Sequence, residues 1–538
     1  MGSQDSCSKR LISLNLGSSE ASETIDRISW LAYAAFYALI ANVPYWFASY
    51  EFGFCHMGWF CIQYAAVGLL ALVVPRFASA LLLSGVIAAD LLDGVCGSFS
   101  LPIREAAANV GALRAFTISR MICSVLTLML TLIVVSAAGR LSRGLHSRRS
   151  RLRVAMVLAA FMCFVVGADV LSIRLATGRL PVTLRTSTRT DGADLRLGRA
   201  PRFARIPVIR LVRSEISDLR QSADEKKVAA TATSTPSAAE IGLRTAGVPS
   251  QIGTGEFPNV VLIVVESWGS ANGVLKDAVV LPYSQSELAD RYNVIQGTVP
   301  FNGATVAGEA RELCGRSMGY HIVNATPVET RSCLPMRLAA LGYYNIALHG
   351  MTGNMFDRSK WYATIGFQER WFNEQFKQAG LPDCEGAFDG TCDADVAAWI
   401  GRRLGQRSPR PYFVHWMTLN SHLPVFVPAP LSNPAPCLQT DSLTPNTPLC
   451  SWYQLITNVH RSVAELATGN LARPTVFIIV GDHAPPFADP ALQERFSQSD
   501  VPYVVLLPRT EQIPSRTVMA HIALTSSTGS AKRSIQTP

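Results

Sequence analysis

A chain of 538 residues, 49% of them hydrophobic and only 16% charged, is too long for one compact domain and too apolar to be disordered or fibrous. Its formal net charge is +9, but no basic patch interleaved with aromatic residues occurs, which sets nucleic acid aside as a partner. The mean hydropathy of +0.21 then turns on where the apolar residues sit.

They crowd the front. After an N-terminal segment, 1–27, come five apolar stretches at 28–50, 57–74, 78–95, 121–138 and 154–172, each close to the ~20 residues that cross a bilayer core. The third carries Asp90 and Asp93. A cleaved signal peptide would show one short apolar region and no successors. The stretch 140–153 holds Arg140, Arg143, Arg148, Arg149, Arg151 and Arg153 with no acid, and such loops stay in the cytoplasm. Lys9, Arg10 and Arg27 place residues 1–27 on the same side, so an odd number of spans puts everything after residue 172 outside. The opening Met1-Gly2-Ser3-Gln4-Asp5-Ser6 fits an N-myristoylation pattern; a multi-pass chain gains little from one weak anchor, and we take the match as chance.

Residues 173–256 read as a linker: polar, Arg-rich, and of low complexity over 229–239. Within it, 206–219 has the pattern of a helix lying on the membrane surface. From 257 to 514 the chain has the size of an ordinary domain, and 515–538 reads as a flexible tail. The apolar runs at 260–265, 344–348, 412–419, 475–480 and 503–507 are short, β-branched and continuous, as in strands of a mostly parallel sheet buried on both faces. Helical stretches at 331–341 and 393–404 lie between them.

The polar residues at the ends of four of these runs carry the chemistry: Glu266-Ser267, His349-Gly350, Asn420-Ser421-His422 and Gly481-Asp482-His483. Parallel α/β sheets bind ligands beyond the carboxyl ends of their strands, so these groups are expected to converge. Glu266, Asp482 and His483 supply two carboxylates and an imidazole, a set that suits one divalent ion, Zn²⁺ or Mn²⁺. Thr305, after Gly303-Ala304 and at the start of a helical pattern, is the candidate nucleophile, because the positive end of a helix eases loss of its proton and holds a phosphate. Six of the 12 cysteines, Cys314, Cys333, Cys384, Cys392, Cys437 and Cys450, fall in the outer region. An even set in an oxidising compartment implies disulfides; neighbours in sequence suggest 314 with 333, 384 with 392 and 437 with 450, although six cysteines allow ~15 pairings.

Five spans followed by Glu266-Ser267, Thr305, His349-Gly350, Ser421-His422-Leu423-Pro424 and Gly481-Asp482-His483 resemble the lipoteichoic acid synthase type of phosphoglycerol transferase. That group lies in the alkaline phosphatase and sulfatase superfamily, with the phosphoethanolamine transferases of lipid A as a related branch. The resemblance implies a transmembrane bundle of five helices carrying an extracytoplasmic sulfatase-like α/β domain, in the inner membrane of a bacterium with the catalytic domain on the periplasmic face. It implies that Glu266, Thr305, Asp482 and His483 hold the metal, that Thr305 becomes phosphorylated, and that His422 and Arg358 hold the transferred group, with His349 and Phe356 at the same site. The donor it implies is a phospholipid, phosphatidylglycerol or phosphatidylethanolamine, and the acceptor an envelope glycan or lipid; His349 and His422 are the candidates for a general base.

The chain departs from that pattern twice. Met351 stands where the family usually has Asp, and Phe356 where it has Trp, both at the glycerol end, which leaves phosphoethanolamine as an alternative. A sulfatase-type hydrolase is a further alternative, since Cys333-Leu334-Pro335-Met336-Arg337 fits the pattern in which sulfatases convert Cys to formylglycine. That motif lacks the usual continuation, and pairing Cys333 with Cys314 explains it more simply. A non-catalytic membrane sensor or scaffold would lack the complete ligand set.

Overall fold

The computed structural model describes residues 28–52, 58–99, 103, 106, 118–145, 147–177, 203–213, 215–216, 237–248 and 257–509, apart from 302, 316–318, 385, 424, 426, 428–436, 438–442, 444–446 and 488–489. The expectations for residues 1–27 and for the 515–538 tail lie outside these. Two compact units divide the chain, 1–231 with 486–495, and 232–485 with 496–538.

The first unit is a bundle of apolar helices. Four are long and apolar enough to cross a membrane: α1 (Ile28–Phe52), and the spans Arg76–Cys96, Met121–Leu141 and Arg148–Leu171 within α3 (Arg76–Phe99), α4 (Ile118–Leu141) and α5 (Arg148–Thr177). The apolar stretch expected at 57–74 folds differently. It opens as a two-residue strand, β1 (Phe60–Cys61), and continues as α2 (Ile62–Leu70), a helix of about 13 Å. Its direction is nevertheless clear. Tyr64 at its start donates a hydrogen bond to Asp90 late in α3 (2.9 Å), so the two run antiparallel, and residues 62–75 must return to Arg76, about 21 Å along α3 from Asp90. A short helix plus a turn thus leads back to the start of α3, and the stretch is not among the helices long enough to cross a membrane.

The two acids of α3 are explained by what they face. β2 (Ala204–Arg205) pairs parallel with β1, and Arg205 enters the bundle there. Its Nε and Nη2 meet the two oxygens of Asp90 at 2.9 and 2.7 Å, Nη1 donates to the carbonyls of Gly58 and Trp59, Nη2 also reaches Asn42 Oδ1 at 3.1 Å, and the guanidinium lies 3.8 Å from the Tyr45 ring centroid. A buried ion pair survives desolvation when its remaining polar sites are filled, as they are here. Arg210 adds a bond to Asp93 at 3.0 Å. In the helical residues 207–213 and 215–216, Pro207 and Leu211 are buried, whereas Val208, Ile209, Val212 and Ile216 are exposed along one face; residues 214 and 217–219 of the helix expected at 206–219 lie outside the described residues.

The second unit is an α/β domain on a seven-stranded, mostly parallel sheet of order β4-β11-β10-β3-β9-β5-β6. The strands are β3 (Asn259–Val265), β4 (Tyr292–Pro300), β5 (Tyr344–His349), β6 (Glu369–Trp371), β9 (Tyr412–Met417), β10 (Thr475–Gly481) and β11 (Asp500–Pro508), with β7 (Asp383–Cys384) and β8 (Gly390–Thr391) forming a separate small hairpin. Every residue of β3 and β10 is buried, which is why both read as unbroken β-branched runs. The run at 503–507 belongs instead to an antiparallel strand, β11, that joins β10 to edge strand β4. β4 escaped notice because most of its residues are exposed or only half-buried, with Tyr292 and Val299 alone buried. The expected 393–404 helix is α10 (Asp393–Leu404), and that at 331–341 is shorter, α8 (Leu334–Ala340), because Cys333 caps it and Pro335 fills its first turn. One element lies upstream of the boundary expected at 257: α6 (Ala238–Thr245) belongs to this unit.

Replacing Arg205 by Ala would leave Asp90 buried and unpaired. We expect a loss of about 3–5 kcal/mol, read as a lowered Tm of the detergent-purified protein, with Arg205→Met combined with Asp90→Leu recovering part of it.

Candidate active site and metal centre

Strand order brings the chemistry together. β10, β3, β9 and β5 are successive neighbours and mutually parallel, so Asp482-His483, Glu266-Ser267, Asn420-Ser421-His422 and His349 leave one edge side by side. This convergence is a consequence of register: Gly481 is level with Val265, and His349 with Met417.

Ligand atoms of Glu266, Asp482 and His483 lie within 4.8 Å of one another, all three residues buried. Each is held from behind. The Glu266 amide donates to Thr418 Oγ1, and Ser421 Oγ to the Glu266 carbonyl. The amides of Ser267 and His483 both donate to Asp482 Oδ1, at 2.8 and 2.6 Å, and Ser267 Oγ donates to Glu266 Oε1. Ser267 takes a left-handed φ of 56°, a strain of about 1–3 kcal/mol in a non-glycine residue that persists only where the surroundings over-determine it. Here both its hydrogen-bond donors are committed to the two carboxylates, and its carbonyl accepts from Trp452 Nε1.

The cluster has the features of a cation site. Asp482 Oδ2 is buried without a hydrogen-bond partner among the described residues. His483 gives its Nδ1 proton to the Ala484 carbonyl at 2.8 Å, which turns Nε2 toward both carboxylates, 3.5 Å from Glu266 and 3.3 Å from Asp482; burial opposes the imidazolium but Asp482 and Glu266 raise its pKa, and loss of the Nε2 proton leaves a lone pair facing the cluster. That tautomer is the one a metal-binding imidazole needs. Burial and the nearby Glu266 carboxylate push Asp482 up to about 7. Burial also penalises the Glu266 charge, but His422, His483 and the Ser267 and Thr305 hydroxyls outweigh it and hold Glu266 below its ordinary range.

Thr305 is the first residue of α7 (Thr305–Cys314), and its hydroxyl lies 3.1 Å from Glu266 Oε2 and 3.3 Å from His483 Nε2. Two glycines allow this closeness. A Cβ on Gly308 would stand 2.8 Å from Asp482 Cα, and one on Gly481 would stand 1.9 Å from the Trp268 carbonyl. All ten residues of α7 are buried.

One turn beyond Thr305 stands Glu309, which the sequence reading missed. It is wholly buried and accepts from Arg358 Nε and Nη2 at 3.0 and 2.8 Å, from the Tyr362 hydroxyl and from His415 Nε2 at 3.2 Å. Burial opposes its charge, but Arg358 and His415 prevail and pull it down to about 2. Arg358 is therefore neither a surface ion pair nor a free cation: two of its nitrogens are committed to Glu309, and its guanidinium stands 5.1 Å from the Phe356 ring centroid. Phe356 and Asp357 just before it both take left-handed φ, 56° and 51°. The signal for Glu309 was its spacing of four from Thr305 on one helix.

His349 donates from Nδ1 to the Met417 carbonyl at 3.0 Å. Burial and then the Arg358 charge lower it to about 3, so it is neutral at any ordinary pH. His422 is less buried and packs edge-on to Phe388, ring centroids 4.7 Å apart. Its turn is anchored by a second residue the sequence reading missed: Asp393, at the start of α10, accepts from the Leu419 and Asn420 amides at 2.9 and 2.8 Å and donates its own amide to Asn420 Oδ1.

The sulfatase family model matches residues 258–530. This chain belongs to the sulfatase family. No curated protein matches it significantly. Among solved structures it is similar to the lipoteichoic acid synthase LtaP of Listeria monocytogenes, with 14% identity, TM-score 0.36, and 51% of this chain and 72% of that one covered. It is also similar to the Streptococcus pyogenes phosphoglycerol transferase GacH in complex with sn-glycerol-1-phosphate, with 16% identity, TM-score 0.32, and coverage of 50% and 73%. For the C-terminal periplasmic domain of EcEptC of Escherichia coli the values are 12% identity, TM-score 0.31, and coverage of 49% and 76%.

In this sulfatase-family domain six cysteines form three disulfides, Cys314–Cys333, Cys384–Cys392 and Cys437–Cys450. Cys333 is thus bonded to the end of α7 and caps α8, and the Cys-Leu-Pro-Met-Arg motif serves as a helix start. The Cys384–Cys392 bridge closes the β7–β8 hairpin that carries Phe388.

Glu309 sets a pH dependence. Its folded pKa, about 2, lies below the ordinary ~4.3. The stabilisation, about 3 kcal/mol, is therefore complete above pH ~4.3 and lost as pH falls toward 2. Acid titration of thermal stability should show this loss, and Glu309→Gln should be destabilised at pH 7 with a shallower acid limb.

Proposed function

We propose that the chain is a membrane phosphotransferase that moves a phosphoglycerol head group from a phospholipid to an envelope glycan or lipid, through a phosphothreonine at Thr305, on the extracytoplasmic side of a bacterial inner membrane. One observation carries the reading: a threonine hydroxyl at the first residue of a buried helix, 3.1 and 3.3 Å from Glu266 and His483, beside a carboxylate–carboxylate–imidazole cluster.

Glu266, Asp482, His483 and Thr305 Oγ1 would hold a divalent ion, Zn²⁺ or Mn²⁺, which when bound supplies Lewis-acid polarisation and favours the ionised hydroxyl. In the first half-reaction Thr305 Oγ1 bonds to the lipid phosphorus as the bond to the diacylglycerol oxygen breaks. That oxygen leaves with the proton the hydroxyl gives up, and diacylglycerol stays in the bilayer. In the second, an acceptor hydroxyl loses its proton, bonds to phosphorus and frees Thr305. His422, the more exposed of the two candidate imidazoles, is placed to take that proton, and neutral His349 can accept a hydrogen bond at Nε2. The Arg358 Nη1 group, the part of its guanidinium not engaged with Glu309, would steady the transferring phosphoryl oxygens. The apolar helices give a donor access that never requires leaving the membrane.

Thr305→Ala should bring transfer to background while the purified protein still takes up metal; full activity in that variant would end the mechanism. Intact-mass measurement after incubation with phosphatidylglycerol or phosphatidylethanolamine vesicles should trap an adduct on Thr305. The adduct mass separates phosphoglycerol from phosphoethanolamine and from sulfate.

A further inference from the structure

Behind the metal cluster runs a second polar network that the proposed chemistry does not use. Arg311, on α7, points its guanidinium at the backbone of the loop that carries Asp482 and His483. Nη2 donates to the Gly481 carbonyl at 2.7 Å and Nη1 to the Asp482 carbonyl at 3.2 Å. Its Nε donates to Glu312 Oε1 at 2.6 Å, so the buried charge is matched within one residue. The other oxygen, Glu312 Oε2, accepts from the Ala239 amide at 2.8 Å, in the first turn of α6. Ala239, Arg311 and Glu312 are all buried.

α6 is itself built in place. Ser237 caps it through the Glu240 amide, Glu240 pairs with Arg337, and Gly242 sits against the Ile478 side chain of β10, the strand that ends at the cluster. First-turn amides have no partner within their own helix, and the Ala239 amide finds one in Glu312. The route is continuous: α6 amide, Glu312 carboxylate, Arg311 guanidinium, then the two carbonyls next to Asp482 and His483. A planar fork meeting two adjacent carbonyls fixes their orientation in a way a single-point donor does not, and groups that orient metal ligands from behind govern affinity.

We propose that Arg311 is a positioning residue for the Gly481–His483 loop and that α6, which lies ahead of the sulfatase-family match, is the outer support of that contact and so helps set metal affinity. The proposal rests on the metal-centre reading above.

The test measures Zn²⁺ affinity of the full-length, detergent-purified chain, with Zn²⁺ alone as the probe, together with Tm of metal-free and metal-loaded protein. Ala239→Pro removes the amide proton at a helix position that tolerates proline, and should weaken Zn²⁺ binding about tenfold; Arg311→Gln should weaken it by about ten- to a hundredfold, with Arg311→Lys failing to restore it. If Ala239→Pro does not fold, Glu312→Gln, which keeps length and one acceptor, replaces it with the same expectation. A purely structural role would lower the metal-free Tm and leave Kd within about twofold of wild type, and that result in the α6 or Glu312 variant and in Arg311→Gln overturns the proposal while leaving the metal centre standing. Absence of Zn²⁺ uptake by the wild-type chain overturns the metal-centre reading and this proposal together.

Discussion

Two carboxylates, Glu266 and Asp482, are held out of water within 4.8 Å of each other, and much of the domain is arranged around that repulsion. Desolvated like charges resist joint ionisation, so a pair of this kind persists where hydrogen bonds to the charged forms, neighbouring cations and a bound ion compensate. The amides of Ser267 and His483 and the hydroxyls of Ser267 and Thr305 supply the first. The imidazole of His483 supplies the second, its Nε2 turned toward both carboxylates. What remains, an Asp482 oxygen with no hydrogen-bond partner among the described residues, is the place a divalent ion would satisfy.

The same device recurs elsewhere in the chain. Glu309 with Arg358, and Glu312 with Arg311, are adjacent or bidentate ion pairs on or against one buried helix. Each sends a guanidinium toward functional groups, the first beside Phe356 and the second onto the Gly481 and Asp482 carbonyls. Arg205 with Asp90 repeats the arrangement inside the helical bundle. Such pairs cost more to break than they return when formed, which makes them better suited to fixing geometry than to adding stability. The left-handed residues at Ser267, Phe356 and Asp357 fit that view, since local strain is tolerated where surroundings leave no alternative.

Legibility in the sequence followed the physics of each element. β3, β5, β9 and β10 were visible because strands buried on both faces carry few polar residues, and the polar residues that follow each run are therefore conspicuous. β4 was not, because an edge strand half in water has no such constraint. The stretch at 57–74 read as a full span because hydropathy counts residues and not conformation; β1 and the turn before Pro75 use part of that length. Asp90 and Asp93 looked out of place until Arg205 and Arg210, more than a hundred residues later in the chain, were seen opposite them.

The sequence by itself determined the class of fold and pointed to the candidate site residues Glu266, Asp482 and His483, because continuous β-branched runs and the polar residues that end them follow from burial and strand periodicity, and to Thr305 by its place at the start of a helical pattern. It also pointed to the three disulfides by proximity along the chain. Only the tertiary structure decided that Arg358 is shared with Glu309, that Asp393 anchors the His422 turn, and that α6 reaches the Gly481–His483 loop through Glu312 and Arg311. Those contacts join buried charges to a partner charge or to backbone groups far away in sequence, and no local pattern encodes them: which groups meet is settled by strand order and helix packing.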